Sequence, residues 1–101
     1  MPSYRVDLEI GALRPGRRPQ EVLDAAVASL AGWHVDATDI DVIDGIPRVL
    51  VRFAVPPSSR TEEDATAMTA SRSVIASVGL VAGTRRCWVR RRRAGRWLPI
   101  G

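Results

Sequence analysis

Two stretches of this 101-residue chain alternate apolar and polar side chains strictly, and each is followed by a glycine or a proline. In "YRVDLEI" (residues 4–10), Tyr4, Val6, Leu8 and Ile10 share one face, while Arg5, Asp7 and Glu9 share the other. In "PRVLVRFAV" (47–55), Val49, Val51, Phe53 and Val55 alternate with Arg48, Leu50, Arg52 and Ala54. A period of two marks a strand with one face buried and one face wet. The buried faces need a covering layer, which restricts what the remaining segments can be.

Those segments read in order. "GALRPGRRP" (11–19) is a loop, rich in glycine and proline. "PQEVLDAAVASLAG" (19–32) places Val22, Leu23, Ala26, Val27 and Leu30 at helical spacing, with Pro19 in the first turn, Glu21 near the positive end and Gly32 as the stop. "WHVDATDIDVI" (33–43) is a less regular strand. Val35 and Ala37 have one parity and Ile40 and Val42 the other, so a bulge or bend is expected near Thr38. Asp44 and Gly45 signal a hairpin into the strand at 47–55, which Pro56 and Pro57 end. A second helix starts in "SSRTEEDA" (58–65), with Thr61 as the expected N-cap and Glu62, Glu63 and Asp64 favouring the helix dipole. Its buried stripe is Ala67, Met68, Ser71, Val74, Ile75 and Val78, and Gly79 or Gly83 ends it. The last strand is "TRRCWVRRR" (84–92), followed by an Ala-Gly turn and the apolar tail "RWLPIG" (96–101).

Strand, helix, strand, strand, helix, strand is the α+β order of the ferredoxin-like fold: a βαββαβ two-layer sandwich, antiparallel sheet order 4-1-3-2, both helices on one face. The expected division is a domain over residues 1–93 and a C-terminal apolar and basic tail over 94–101, packed on the sheet or on a partner.

Charge is polarised along the chain. All fifteen basic residues are arginine; residues 84–101 hold seven of them and no acid, whereas residues 1–83 hold eight with all eleven acids. Cys87 and Val89 are the small apolar pair of one parity in the last strand, so they face the helices and send Arg86, Trp88, Arg90 and Arg92 to the uncovered face. Arg5, Asp7 and Glu9 accompany them there, then Arg48, Leu50 and Arg52, with acids from Asp36, Asp39 and Asp41 beyond. Opposed unlike charges on neighbouring strands contribute about 0.2–1 kcal/mol each, so much of the arginine run has partners within the sheet. Arg91, Arg93 and Arg96, with Arg14, Arg17 and Arg18, are left over.

Base-stacking recognition of RNA by this strand order needs aromatics displayed on the first and third strands. Tyr4 and Phe53 have the inward parity instead, and carboxylates occupy the displayed positions. Looser electrostatic binding of nucleic acid through the basic C-terminal segment is the weaker alternative to a protein partner or a homodimer. The expected interaction surface comprises Trp88, Arg90, Arg92, Trp97, Leu98 and Ile100, since three large apolar groups in the tail call for a cover.

The loop "LRPGRRPQE" (13–21) puts backbone amides and arginines ahead of a helix N-terminus, a pattern suited to a carboxylate or phosphate. Its "RPG", together with the later "VRFAV" strand, resembles ACT domains, small modules that bind amino acids and regulate enzymes. The resemblance implies a ligand pocket at Arg14, Pro15 and Gly16, between paired domains. The candidate ligand-binding residues are Arg14, Gly16, Arg17 and Arg18.

Other chemistry finds little footing. Cys87 is the sole cysteine, which excludes an internal disulfide and a multi-cysteine metal site. Asp36, Asp39, Asp41 and Asp44 lack any EF-hand spacing and read as a solvated edge and a turn. His34 shares parity with Asp36, but no nucleophile accompanies the pair. No catalytic residue, metal or cofactor is expected, and the chain reads as a non-enzymatic interaction or regulatory domain. With no apolar run near the roughly 18 residues that cross a bilayer and no secretory pattern at its start, it is expected to be cytoplasmic, without a membrane partner.

Overall fold

The computed structural model describes residues 1–100. Their elements are β1 (Ser3–Leu13), α1 (Gln20–Ala28), β2 (His34–Ile43), β3 (Ile46–Ala54), α2 (Arg60–Gly79), β4 (Ala82–Arg93) and β5 (Arg96–Pro99). The protein is α+β, with two helices and a five-stranded antiparallel sheet ordered β2-β3-β1-β4-β5. That order differs from the four-stranded arrangement expected. A fifth strand stands outside β4, which is therefore an internal strand paired on both sides.

The strand pairs follow from the alternation. Val6 lies opposite Val51 on one side and Val89 on the other. All three are buried in one core with Val22, Ala26 and Leu30 of the α1 region and Ala67, Ala70, Val74 and Val78 of α2. Both helices therefore cover the same sheet face. α2 lies along β1 and β4, and α1 along β2 and β3. The Ser77 hydroxyl donates to the Ala25 carbonyl at 2.9 Å and ties the helices together. The small side chains of α2 bring it close to the sheet, while Tyr4 and Phe53 fill the widest part of the core, their rings 6.1 Å apart. Trp33 meets Phe53 edge-on at 5.8 Å.

Several local expectations are corrected. Ser59, not Thr61, caps α2: it has extended backbone angles (φ −67°, ψ 153°), and its side chain accepts from the Glu62 amide. Thr61 already lies within the first helical turn. Glu63 reaches back to accept from the Ser58 amide at 2.9 Å, which holds the residue just ahead of the cap. The irregularity expected near Thr38 in β2 is present, between Val35 and Ala37. Residues 96–99, within the expected tail, form a strand on the sheet. Ala94 and Gly95 turn the chain with φ of 50° and 76°, and Arg96–Pro99 pairs with β4. The Ile100 amide then donates to the Val89 carbonyl at 3.0 Å, so the chain runs as one sheet across the boundary expected at residue 93. Among the described residues, no helix is long and apolar enough to cross a membrane.

Candidate functional site

The sheet face without helices carries the arginine-rich surface, and the register fixes its rows. Asp41, Arg48 and Glu9 are successive opposite partners across β2, β3 and β1. The next row is Asp39, Leu50, Asp7 and Trp88, the last on β4. The third is Ala37, Arg52, Arg5, Arg90 and, on β5, Pro99. Trp97 faces Arg92 across the β4–β5 hairpin.

Asp7 and Glu9 were expected to be solvated; each is only 3% exposed. Long arginine and tryptophan side chains from the flanking strands lie over them and exclude water. Asp7 Oδ2 accepts from Arg90 at 2.5 Å and from Arg5 at 3.2 Å, and its Oδ1 is 3.0 Å from Arg5 Nε. Glu9 Oε1 is 3.3 Å from both the backbone amide and Nε of Arg86, and its Oε2 is 3.8 Å from Arg48. Buried carboxylates persist only when paired, and these two have guanidiniums on both sides. Arg48, Arg86 and Arg90 lie over the Trp88 ring at 4.3, 5.4 and 5.9 Å from its centroid. Arg5, Arg52 and Arg92 do the same at Trp97, at 5.3, 5.5 and 5.9 Å. Each such contact contributes about 0.5–1 kcal/mol where exposed. The result is a preset layer of two indoles clamped by six guanidiniums above two buried acids.

Of the expected interaction surface, Trp88, Arg90, Arg92 and Trp97 come together on this face. Leu98 and Ile100 do not. Leu98 pairs with Arg91 on the opposite parity, and Ile100 packs against the core.

Arg91 is also not left over. It shares the helix-side parity of Val89 and enters a polar cluster at the start of α2. It donates to Tyr4 Oη at 2.7 Å, contacts Glu63 at 2.9 Å and Asp64 at 3.4 Å, while the Tyr4 hydroxyl donates to Asp64. Burial, and then the hydrogen bond to Asp64, push the Tyr4 hydroxyl up to about 12. The Ser58 amide, followed by Arg91, holds Glu63 below the usual carboxylate range. Burial opposes the charge on Arg91, but its bonds to Glu63, Tyr4 and Asp64 outweigh this and raise it. The sequence signal was available: parity alone assigns Arg91 to the helix side, opposite the acidic first turn of α2.

The "RPG" loop is engaged with its own protein. Arg14 Nε donates to the Gly79 carbonyl at 2.6 Å, capping the end of α2, and its amide donates to the Val81 carbonyl at 2.8 Å. Gly16 turns with φ 78°. Glu21 accepts from the Arg18 amide at 2.6 Å and from Arg17 at 3.1 Å, taking the place that an anionic ligand would occupy. These bonds, the amide first, lower the Glu21 pKa. The Arg17 side chain and the Arg18 amide thus meet Glu21 at the helix start, while the Arg14 side chain turns to the end of α2.

Cys87 packs at the core margin, where burial and then Asp7 push its thiol up to about 11, so it is a weak nucleophile. His34 lies 3.1 Å from Asp36 on the exposed edge strand. Among the described residues, no three histidine, cysteine or carboxylate side chains are grouped to hold a metal ion.

No family model matches the chain. No solved structure matches it either. A curated relative is the cobyric acid synthase of Saccharopolyspora erythraea, 34% identical over 98 residues. The match takes in 97% of this chain and 18% of the relative. The chain thus spans less than a fifth of the protein it resembles.

Proposed function

We propose that this domain is a non-enzymatic protein-interaction module, ferredoxin-like in topology with an added edge strand, which docks through its arginine–tryptophan sheet face and forms a homodimer there. The observation that carries this reading is the pair of indoles, each clamped by three guanidiniums, on the face that the helices leave free. Tryptophan and arginine concentrate binding energy at protein interfaces, and side chains already held in place lose little freedom on docking. The charge pattern suits a second copy. Asp39 and Asp41 stand on β2 at one side of the face, in the rows of Trp88 and of Glu9, which bonds Arg86; Arg86 and Arg90 clamp Trp88 on β4 near the other side. Turning one copy over about an axis parallel to the strands lays the acids of each on the arginines of its partner.

The relative adds a setting. A match along nearly the whole chain to a small part of a cobyric acid synthase supports an accessory role beside, or within, an enzyme of that kind. Light scattering at two concentrations tests the homodimer. A dimer mass in the wild type and a monomer mass in Trp88→Ala/Trp97→Ala are expected, and a monomer mass for the wild type at both concentrations would overturn it. Titration into a cobyric acid synthase tests the accessory role, for which a joint mass is expected; separate masses throughout count against it.

A further inference from the structure

In the row Arg52, Arg5 and Arg90, three guanidinium-bearing residues lie directly opposite one another across three strands. Like charges so placed repel, and Asp7 answers only Arg5 and Arg90. Among the described residues no carboxylate pairs with Arg52, and its Nε is buried without a hydrogen-bond partner. Beside it, Trp97 reaches across from β5 and walls a cavity of about 150 Å³, which Arg5, Arg52 and Leu50 also line. Asp39, opposite Leu50 in the neighbouring row, lines it as well.

We infer that this cavity binds a small monocarboxylate bearing an adjacent amino or hydroxyl donor. The carboxylate fits between Arg52 and Arg5, where it relieves their mutual repulsion and offers two acceptors to a planar donor fork. The donor meets Asp39, which also turns away a second negative charge. The apolar remainder lies on Leu50 and the Trp97 ring. A volume of about 150 Å³ matches a benzene-sized ligand, on the order of six heavy atoms. Every wall comes from one chain, so the site is complete without the proposed dimer.

The test follows the Trp97 indole N–H and the Arg52 Nε–H by NMR in dilute, monomeric protein titrated with lactate, alanine, propionate and inorganic phosphate. Saturable shifts with lactate or alanine are expected, with propionate about tenfold weaker because it lacks the donor. Arg52→Gln should abolish saturation while the rest of the spectrum stays folded. Asp39→Ala, on the exposed edge, removes the acceptor and should bring propionate and lactate to equal affinity. No saturable shift with lactate or alanine, or equal shifts in Arg52→Gln, would overturn the site. Tighter binding of phosphate overturns the ligand class, and equal wild-type affinity for propionate overturns the part given to Asp39. The proposed dimer would bury this same face, so binding is read below the concentration at which a dimer forms, and saturation there stands whether or not the homodimer does.

Discussion

Asp7 lies opposite Trp88 in the β1–β4 ladder, and its carboxylate joins Arg5 to Arg90 beside that indole. One buried acid thus holds two arginines that would otherwise repel. Asp7→Asn keeps the shape and removes the charge, leaving Arg5 and Arg90 facing each other without a counter-ion. We expect a loss of about 1–3 kcal/mol in urea unfolding, the range for a buried polar group left unsatisfied, since both arginines remain partly solvated. Asp7→Arg should cost more, because it completes a cluster of like charges. An unchanged midpoint in both variants would show that the carboxylate is not what holds the row.

Tyr4 is the sole tyrosine, so phenolate absorbance reports this group alone. Its ordinary pKa of 10.0 is raised to about 12 in the fold, by burial and then by Asp64. An unfolded chain gives up the proton near pH 10 while the folded one keeps it. The stabilisation is therefore complete below pH 10 and is lost as pH rises through about 12. Cys87, raised from 9.0 to about 11, acts with the same sign over an overlapping window. A Cys87→Ser background isolates the tyrosine. Its melting temperature should fall steeply between pH 10 and 12, and Tyr4→Phe in that background should flatten the decline. Ionisation of the folded protein at pH 10 would refute the account.

The start of α2 offers a sharper comparison. Ser59 accepts from the Glu62 amide, so Ser59→Ala should cost about 1 kcal/mol, as loss of an N-cap does. Thr61, exposed and already helical, should tolerate alanine within about 0.5 kcal/mol. Equal losses in denaturant unfolding would restore Thr61 as a cap.

The contrast between these residues shows what a sequence makes legible. Side-chain parity in β1, β3 and β4 is readable because it repeats over many positions, and it places Val89 toward the helices and Trp88 on the open face. A cap is a single bond, and both Ser59 and Thr61 have a suitable hydroxyl; only the backbone angles separate them. Burial of Asp7 and Glu9 depends on cover from arginines and indoles of flanking strands, which no local window contains. Arg91 is readable by parity, although the charged neighbours on either side of it mask that signal. The loop pattern at Arg14 to Arg18 suits an anion, and Glu21, three residues beyond Arg18, is the carboxylate that the Arg17 side chain and the Arg18 amide meet there. β5 escaped notice because four residues hold only two periods and its turn lacks the usual polar residue. With β5 missing, the cavity beside Trp97 was out of reach.

That turn supplies the last prediction. The two hairpins share one geometry: Asp44 and Gly45 have φ of 52° and 77°, Ala94 and Gly95 φ of 50° and 76°. Such turns require positive φ at both central residues, which suits asparagine or aspartate followed by glycine. Alanine in the left-handed region costs roughly 1 kcal/mol through contact of its Cβ with the backbone, whereas the short polar side chain of asparagine bonds locally and offsets that cost. Ala94→Asn should therefore raise stability by about 0.5–1 kcal/mol, and Ala94→Val, bulkier at Cβ, should lower it. Because the turn sets the pairing of β5, the same substitutions should move the exchange protection of the Ile100 amide, which donates to Val89, in the same directions. A denaturant midpoint unmoved by asparagine, with Ile100 protection also unmoved, would mean that contacts of Trp97 with Arg5 and Arg52, not the turn, hold the fifth strand in place.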